Sequence, residues 1–152
     1  MITVTIKTDA MKRALAKFAE QLEHEASEAL SAALFAAGAE ARANISRQTK
    51  RHTGRLLEGT KIQQATAYTG RLFSSAPYAG YVDAGTRAHT IAARRAKTLA
   101  FTVGGKRVFR RTVHHPGTTP RPFVAPAAHM GESVLQIRLQ HSVNHLAATF
   151  GR

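Results

Sequence analysis

The chain has 152 residues, a formal net charge of +13 and no cysteine. This length matches one ordinary domain, which we expect over residues 1–152, and it allows a hydrophobic core. The lack of cysteine excludes a disulfide framework, a thiolate zinc site and a cysteine nucleophile. The first ten residues do not resemble a targeting signal, and no apolar run reaches the length of a membrane span, so we expect a soluble protein with no membrane contact.

The positive charge is concentrated in the middle of the sequence. Residues 41–131 hold sixteen Lys and Arg but only two carboxylates, Glu58 and Asp83, while the flanking residues are close to neutral. Such a segment can contact a polyanion or an acidic protein, or it can be a solvated basic surface. Charge alone does not separate these three possibilities.

The first predicted elements are a strand and a long helix. Residues 2–7 alternate Ile and Val with Thr and Lys, which is the period of a half-buried strand, and Asp9 then stands at a helix N-cap position. From there to about Ser46, apolar residues recur every three or four positions and predict one amphipathic helix; they are Met11, Leu15, Phe18, Leu22, Ala26, Ala29, Ala33 and Ala37.

The length of this helix raises a difficulty. It would span roughly 55 Å, which is long for a compact domain of this size. It either breaks near Gly38 and folds onto its own sheet, or it projects and packs on another subunit. The alanine stripe suits close helix approach and favours an oligomer.

Short strands occupy the middle of the chain. Residues 60–69 and 70–76 are typical of strands, and an apolar piece within residues 77–93 fits one helical turn. Residues 97–113 predict a hairpin with a Gly-Gly primed turn, in which Phe101 faces Val108 and Leu99 faces Arg110. One side of this ribbon should be apolar, and the other largely cationic, with Arg107, Phe109 and Arg111.

A second amphipathic helix closes the chain. Leucine, valine and phenylalanine recur at helical spacing from 135 to 150, at Leu135, Leu139, Val143, Leu146 and Phe150. The proline-rich residues 116–126 predict a rigid joint before it, with Phe123 as a core anchor and Pro126 at the first helical position. The fold class is therefore α+β, with a long N-terminal amphipathic helix, a small mostly antiparallel sheet with a basic hairpin, and a C-terminal helix.

Enzyme and metal sites have little support in the sequence. The eight histidines are scattered, and the adjacent His114 and His115 would point to opposite faces of a strand. No common hydrolase, zinc-protease or phosphate-loop motif occurs. Glu58 and Asp83 could form an acid/base pair only if the fold brought them together. We therefore expect no catalytic residue, no metal and no cofactor.

Contact with nucleic acid is better supported. A cluster of basic residues could contact DNA or an acidic partner: Arg94, Arg95, Lys97, Lys106, Arg107, Arg110 and Arg111. The chain has no tryptophan and no aromatic pattern of a base-stacking sheet, so sequence-specific binding is not expected.

Three segments, at 53–61, 76–101 and 113–129, resemble the neck or tail-completion proteins of long-tailed bacteriophages. The family pattern is Thr-Gly-x-Leu, then Tyr-Ala-x-Tyr-Val-(Glu/Asp)-x-Gly-Thr, then Lys-x-Leu-x-Phe, then His-Pro-Gly-Thr followed by Pro-Phe-x-x-Pro-Ala. Aspartate at 83 stands where glutamate is commoner. The motif residues to which we assign a structural role are Gly54, Leu56, Tyr78, Tyr81, Asp83, Gly85, Thr86, His115, Pro116, Gly117, Pro122, Phe123 and Pro126.

The resemblance implies a non-enzymatic virion protein at the head–tail junction, assembled in the host bacterial cytoplasm. It implies a ring of roughly six or twelve copies around the DNA exit channel. The implied partners are head-closure or adaptor proteins, tail-terminator or tail-tube proteins, and genomic DNA contacted without sequence preference. The resemblance does not separate a tail-completion role from a terminator or head-closure role.

Two other functions stay open from the residues alone. One is a free basic protein that binds nucleic acid without sequence specificity. The other is a small hydrolase, which would need a convergent carboxylate or histidine pocket.

Overall fold

Helices and short antiparallel strands make up the part of the chain that the structure, a computed structural model, describes: residues 9–48, 54–94 and 96–150. In chain order the elements are α1 (Asp9–Gln48), α2 (Arg55–Gly59), β1 (Thr60–Gln64), β2 (Gly70–Ser74), α3 (Ala79–Ala84), β3 (His89–Ala92), β4 (Leu99–Val103), β5 (Lys106–Arg110), β6 (Thr112–His115) and α4 (Val124–Phe150). The strands pair as three antiparallel ribbons, β1–β2, β3–β6 and β4–β5. The predicted α+β class is confirmed, and the strand predicted at 2–7 lies outside the described residues.

Helix α1 is continuous over 40 residues and does not break at Gly38. Asp9 is the first described residue of this helix and lies in its first turn, and its N-cap role stays a prediction. There its negative charge lies near the positive end of the helix dipole. A glycine inside a helix costs about 1 kcal/mol relative to alanine, which a long and well-packed helix tolerates.

The chain divides into two compact units. The helical unit comprises the described residues up to Ala76 and those from Phe123 onward, and so contains α1, α2, β1, β2 and α4. The inserted unit is Pro77–Pro122 and contains α3 and β3 to β6. Every buried apolar side chain among the described residues belongs to the helical unit; these are Ala29, Ala33, Ala37, Ala41, Ile45, Leu56, Phe123, Ala127 and Leu146.

Small residues bring α1 and α4 close together. A Cβ atom added to Gly131 on α4 would lie 3.2 Å from the Ala37 Cβ and 3.3 Å from the Ala33 carbonyl oxygen on α1. Ala127, one turn earlier on α4, is fully buried. Because the side chains at the contact set the distance between helix axes, this surface permits a close approach.

The β1–β2 ribbon packs on the C-terminal half of α1. A Cβ on Gly38 would lie 2.9 Å from Ile62 Cγ2, so glycine leaves the space that this β1 side chain fills. The Gln64 side-chain amide donates to Ser27 Oγ at 3.0 Å, and an Arg42 guanidinium nitrogen donates to the Thr60 carbonyl at 3.2 Å. The C-terminal half of the predicted long helix is therefore covered by its own chain.

Several apolar residues predicted to face the core are exposed. On α1, the Met11 and Leu15 side chains are both 60% exposed, although Phe18 makes an edge-to-face contact with Phe150 at 5.4 Å. On α4, Val143 is 54% exposed. Of the predicted line, Leu146 is buried and Leu135 and Phe150 are half-buried. The periodicity of large side chains missed the other buried positions of α4, which are Ala127, Gly131 and Ser142.

The final helix starts two residues earlier than predicted, at Val124. Pro126 therefore lies inside the first turn, where a backbone N–H has no intrahelical acceptor and proline is tolerated. Phe123, just before the helix, is 3% exposed. No helix in the described ranges combines the length and the apolar character that a bilayer crossing requires.

Replacing Gly131 with leucine should destabilise the helical unit. The added side chain would overlap Ala33 and Ala37 on α1, and such overpacking costs about 1–3 kcal/mol. Thermal unfolding followed by circular dichroism measures the effect. Ala128→Leu, at an exposed position of the same helix, is the matched control and should change stability by less than about 0.5 kcal/mol. An unchanged melting temperature for Gly131→Leu would contradict the close approach.

Candidate functional site

The basic hairpin is formed by β4 and β5 in the predicted register. Phe101 lies opposite Val108, and Leu99 lies opposite Arg110. Gly104 and Gly105 connect the strands with φ angles of 56° and 80°. Two consecutive positive φ angles are the requirement of a type I′ turn, which matches the twist of the flanking strands.

The cationic side chains are divided between both faces of the hairpin, contrary to the predicted single cationic side. Residues opposite each other on paired strands share a face. Lys106 and Arg110 therefore lie on the face of Leu99 and Phe101, whereas Arg107 lies on the other. The reason is the two-residue period of a strand, which sends Lys106 and Arg107 to opposite faces.

Six of the seven predicted basic residues are described, and all six are exposed. Within the described ranges no carboxylate forms an ion pair with Arg94, Lys97, Lys106, Arg107, Arg110 or Arg111. Arg95 lies outside the described residues. The Arg107 guanidinium lies 5.5 Å from the centre of the Phe109 ring, a cation–π contact that orients it. The Ala93 N–H donates to the Arg111 carbonyl at 2.9 Å, which places Arg94 close to this end of the hairpin.

Two glycine–threonine pairs form a backbone bridge within the inserted unit. Thr86 and Thr118 exchange backbone hydrogen bonds of 3.0 Å in both directions, and their hydroxyl oxygens are 3.0 Å apart. Gly85 and Gly117, which precede the bridge residues, have φ angles of 71° and 91°. A Cβ on Gly85 would lie 2.5 Å from the Thr118 carbonyl oxygen, and one on Gly117 would collide with the Thr86 carbonyl oxygen. Only glycine fits either position.

The His115 side chain accepts a hydrogen bond next to this bridge and is not arranged as a metal ligand. Its Nδ1 accepts the Gly117 N–H at 3.0 Å, which leaves the ring proton on Nε2. Its ring stacks on that of His89, its cross-strand neighbour, with centroids 5.1 Å apart. In this tautomer neither nitrogen offers a free lone pair. No group of three metal-binding side chains occurs among the residues that the structure describes.

The other motif residues occupy the ends of short elements. Gly54 is the N-cap of α2 with φ 79°, and the following Leu56 is 4% exposed. Tyr78 is the N-cap of α3, which contains Asp83 and the 66% exposed Tyr81. Pro116 and Pro122 lie between β6 and α4. Glu58 belongs to the helical unit and Asp83 to the inserted unit.

Sequence reasoning missed a groove in the helical unit. It lies between α1 and α4, has a volume of about 450 Å³, and is lined by Glu25, Glu28 and Phe35 from one helix and Arg138 and His141 from the other. Glu25 accepts a hydrogen bond from the buried Ser142 hydroxyl at 2.7 Å. The signal available in the sequence was Phe35, a large apolar residue off the alanine stripe.

Comparison with known proteins gives one family match. The HK97-gp10-like family model, described as "Bacteriophage HK97-gp10, putative tail-component", matches residues 9–85. The match runs from the start of α1 to Gly85, so the bridge residue Thr86 and the His-Pro-Gly-Thr segment follow the matched region. No curated protein and no solved structure matches the chain.

Replacing Gly117 with alanine should open the threonine bridge. Alanine at positive φ costs about 1–2 kcal/mol before the collision with Thr86 is counted. Hydrogen exchange at the Thr86 and Thr118 amides should accelerate by at least about tenfold, while α1 and α4 stay protected. Gly80→Ala is the control, because nothing lies within 4 Å of the added methyl group. Equal exchange rates in the two variants would contradict the role assigned to Gly117.

Proposed function

This chain belongs to the HK97-gp10-like family of bacteriophage tail components, and from that membership we propose that it forms an oligomeric ring at the phage neck. The ring joins the head connector to the tail and surrounds the channel through which DNA leaves. The family is one of structural tail components and not of enzymes, so the protein is a structural part of the virion.

The observation that carries the ring proposal is the exposed apolar surface of the two long helices. Met11, Leu15 and Phe35 on α1 are 60%, 60% and 71% exposed, and Ile137 on α4 is 70% exposed. Monomeric proteins seldom leave large apolar side chains grouped along adjacent elements, because their burial is worth about 25 cal/mol per Å². Contact with further subunits would remove this surface from water. Ring closure requires an interface between two different surfaces of the same chain.

The basic hairpin supports the proposed position around DNA. Lys106, Arg107 and Arg110 are exposed on the hairpin and divided between its two faces, and Arg94, Lys97 and Arg111 are exposed beside it. None of them pairs with a carboxylate within the described ranges. Phosphate contacts of this kind attract DNA without reading its sequence. A channel wall can use such contacts, because a sequence-specific grip would slow DNA passage. The remaining proposed partners are the head-closure or adaptor proteins and the tail-terminator or tail-tube proteins.

Imaging particles of the phage that encodes this chain tests the proposal. We expect a closed ring of this protein between head and tail, with the β4–β5 hairpins directed at the channel. Finding the protein in the virion but away from the neck would refute the ring proposal and leave the tail-component assignment standing. Its absence from virions would favour a free basic DNA-binding protein.

The isolated chain should bind DNA weakly, and binding should weaken steeply with salt. Lys106→Gln/Arg110→Gln, which removes two cations from one face of the hairpin, should reduce the slope of log affinity against log salt by about 2, or about 1 for each phosphate contact. Fluorescence anisotropy with duplexes of unrelated sequence is a suitable measurement. Lys61→Gln/Arg71→Gln, on the β1–β2 ribbon, removes the same charge and should leave the slope unchanged. Equal slopes for the two double variants would show that the hairpin does not contact DNA.

A further inference from the structure

We propose that the first turns of α1 dock into the groove between α1 and α4 of the next copy of the chain. This inference rests on the proposed ring and assigns the two surfaces that build it. The docking segment is Asp9–Phe18, and the receiving surface is the groove lined by Glu25, Glu28 and Phe35 of α1 with Val134 and Arg138 of α4.

The docking segment is the first described part of α1, and its apolar face is exposed. Met11 and Leu15 continue the stripe that becomes buried at Ala29 and Ala33, yet both are 60% exposed. The last α4 residue that contacts this stretch is Phe150, through Phe18. The face that α4 covers further along therefore continues beyond the end of α4, among the described residues, with the same periodicity.

The receiving groove combines apolar and polar walls. Phe35 is 71% exposed at its edge, Ala32 and Val134 contribute further apolar surface, and much of the remaining lining is charged or polar. Its volume of about 450 Å³ leaves space for side chains of a second copy. Glu25 is held in place by the Ser142 hydroxyl and lies 3.9 Å from the His145 ring, so one wall is fixed before any partner arrives.

The charges of the two surfaces are complementary. The segment carries Lys12, Arg13 and Lys17 against the single carboxylate of Asp9. The groove carries two carboxylates, Glu25 and Glu28, against Arg138. Lys12 and Lys17 are exposed, and neither pairs with a carboxylate in the described ranges. Opposite charges at the rim of the groove set the register of docking. A contact between two docking segments would bring like charges together and is therefore disfavoured.

The spacing of the two surfaces makes the contact one between copies. Leu15 and Glu28 are thirteen residues apart on one continuous helix, which is roughly 20 Å. The segment cannot reach the groove of its own chain, because both lie on the same helix. The contact joins two different surfaces of the chain, so its repetition from copy to copy closes a ring, whereas reciprocal exchange between two copies would stop at a dimer. Sedimentation velocity separates these two assemblies by mass.

Charge reversal and rescue by mixing test the contact. The tip variant, which changes the docking segment, is Lys12→Glu/Lys17→Glu. The groove variant is Glu28→Lys; Glu25 is left unchanged because it accepts the hydrogen bond from Ser142. Assembly of the full chain is followed by sedimentation velocity at low salt. Each variant alone should require at least about tenfold more protein to assemble than the wild type. An equimolar mixture should assemble like the wild type, because each reversed tip then meets a reversed groove.

Two controls separate docking from folding. Glu23→Lys reverses an exposed charge on the same helix outside the groove and should assemble normally. The melting curves of the dilute tip and groove variants should match that of the wild type, since all three substituted side chains are exposed.

Three results would overturn the contact: a wild-type chain that stays monomeric up to about 1 mM, variants that assemble normally, or a mixture that does not recover. If virions contain the ring but the variants assemble normally, the ring stands and this interface is wrong. If the ring is absent from virions, the proposed function fails, while rescue by mixing would still establish the contact between copies.

Discussion

The close approach of α1 and α4 is the constraint on which the helical unit depends. A carbon atom added to Gly131 would lie only 3.2 Å from the Ala37 Cβ and 3.3 Å from the Ala33 carbonyl oxygen, and Ala127 is fully buried one turn away. A seam of small residues buries little apolar area per residue, so its stability depends on its length and on close packing. Where these small residues meet, there is no space between the helices for large side chains. Phe35 and Ile137 lie away from this seam and are 71% and 70% exposed.

The inserted unit is held together by a different kind of force. None of its described residues is buried, and its strands form two separate ribbons. The Thr86–Thr118 bridge, the two glycines before it and the His115 contact to Gly117 give it order through backbone hydrogen bonds and steric restriction. Such a unit presents most of its side chains to solvent. Its charged side chains are therefore accessible to a binding partner.

The parts that could be predicted from the sequence are those specified by local physics. The hairpin register followed from Gly104 and Gly105, and the existence of the long helix followed from its apolar period, although the period left a break near Gly38 open. The buried positions Ala127, Gly131 and Ser142 of α4 were missed because glycine, alanine and serine carry little periodic signal even where they pack most tightly. The groove was also missed, since it depends on how α1 and α4 meet over residues more than a hundred positions apart. No local pattern encodes that meeting.

The order of the two units along the chain has a consequence for how such proteins diversify. The inserted unit is one uninterrupted stretch, Pro77–Pro122, whereas the helical unit is assembled from sequence on both sides of it. Recombination at two points could therefore exchange the entire basic hairpin and threonine bridge without altering a single residue of the α1–α4 seam. Such an exchange would change the residues that contact DNA or neighbouring proteins, while the residues that form the helical unit would stay the same.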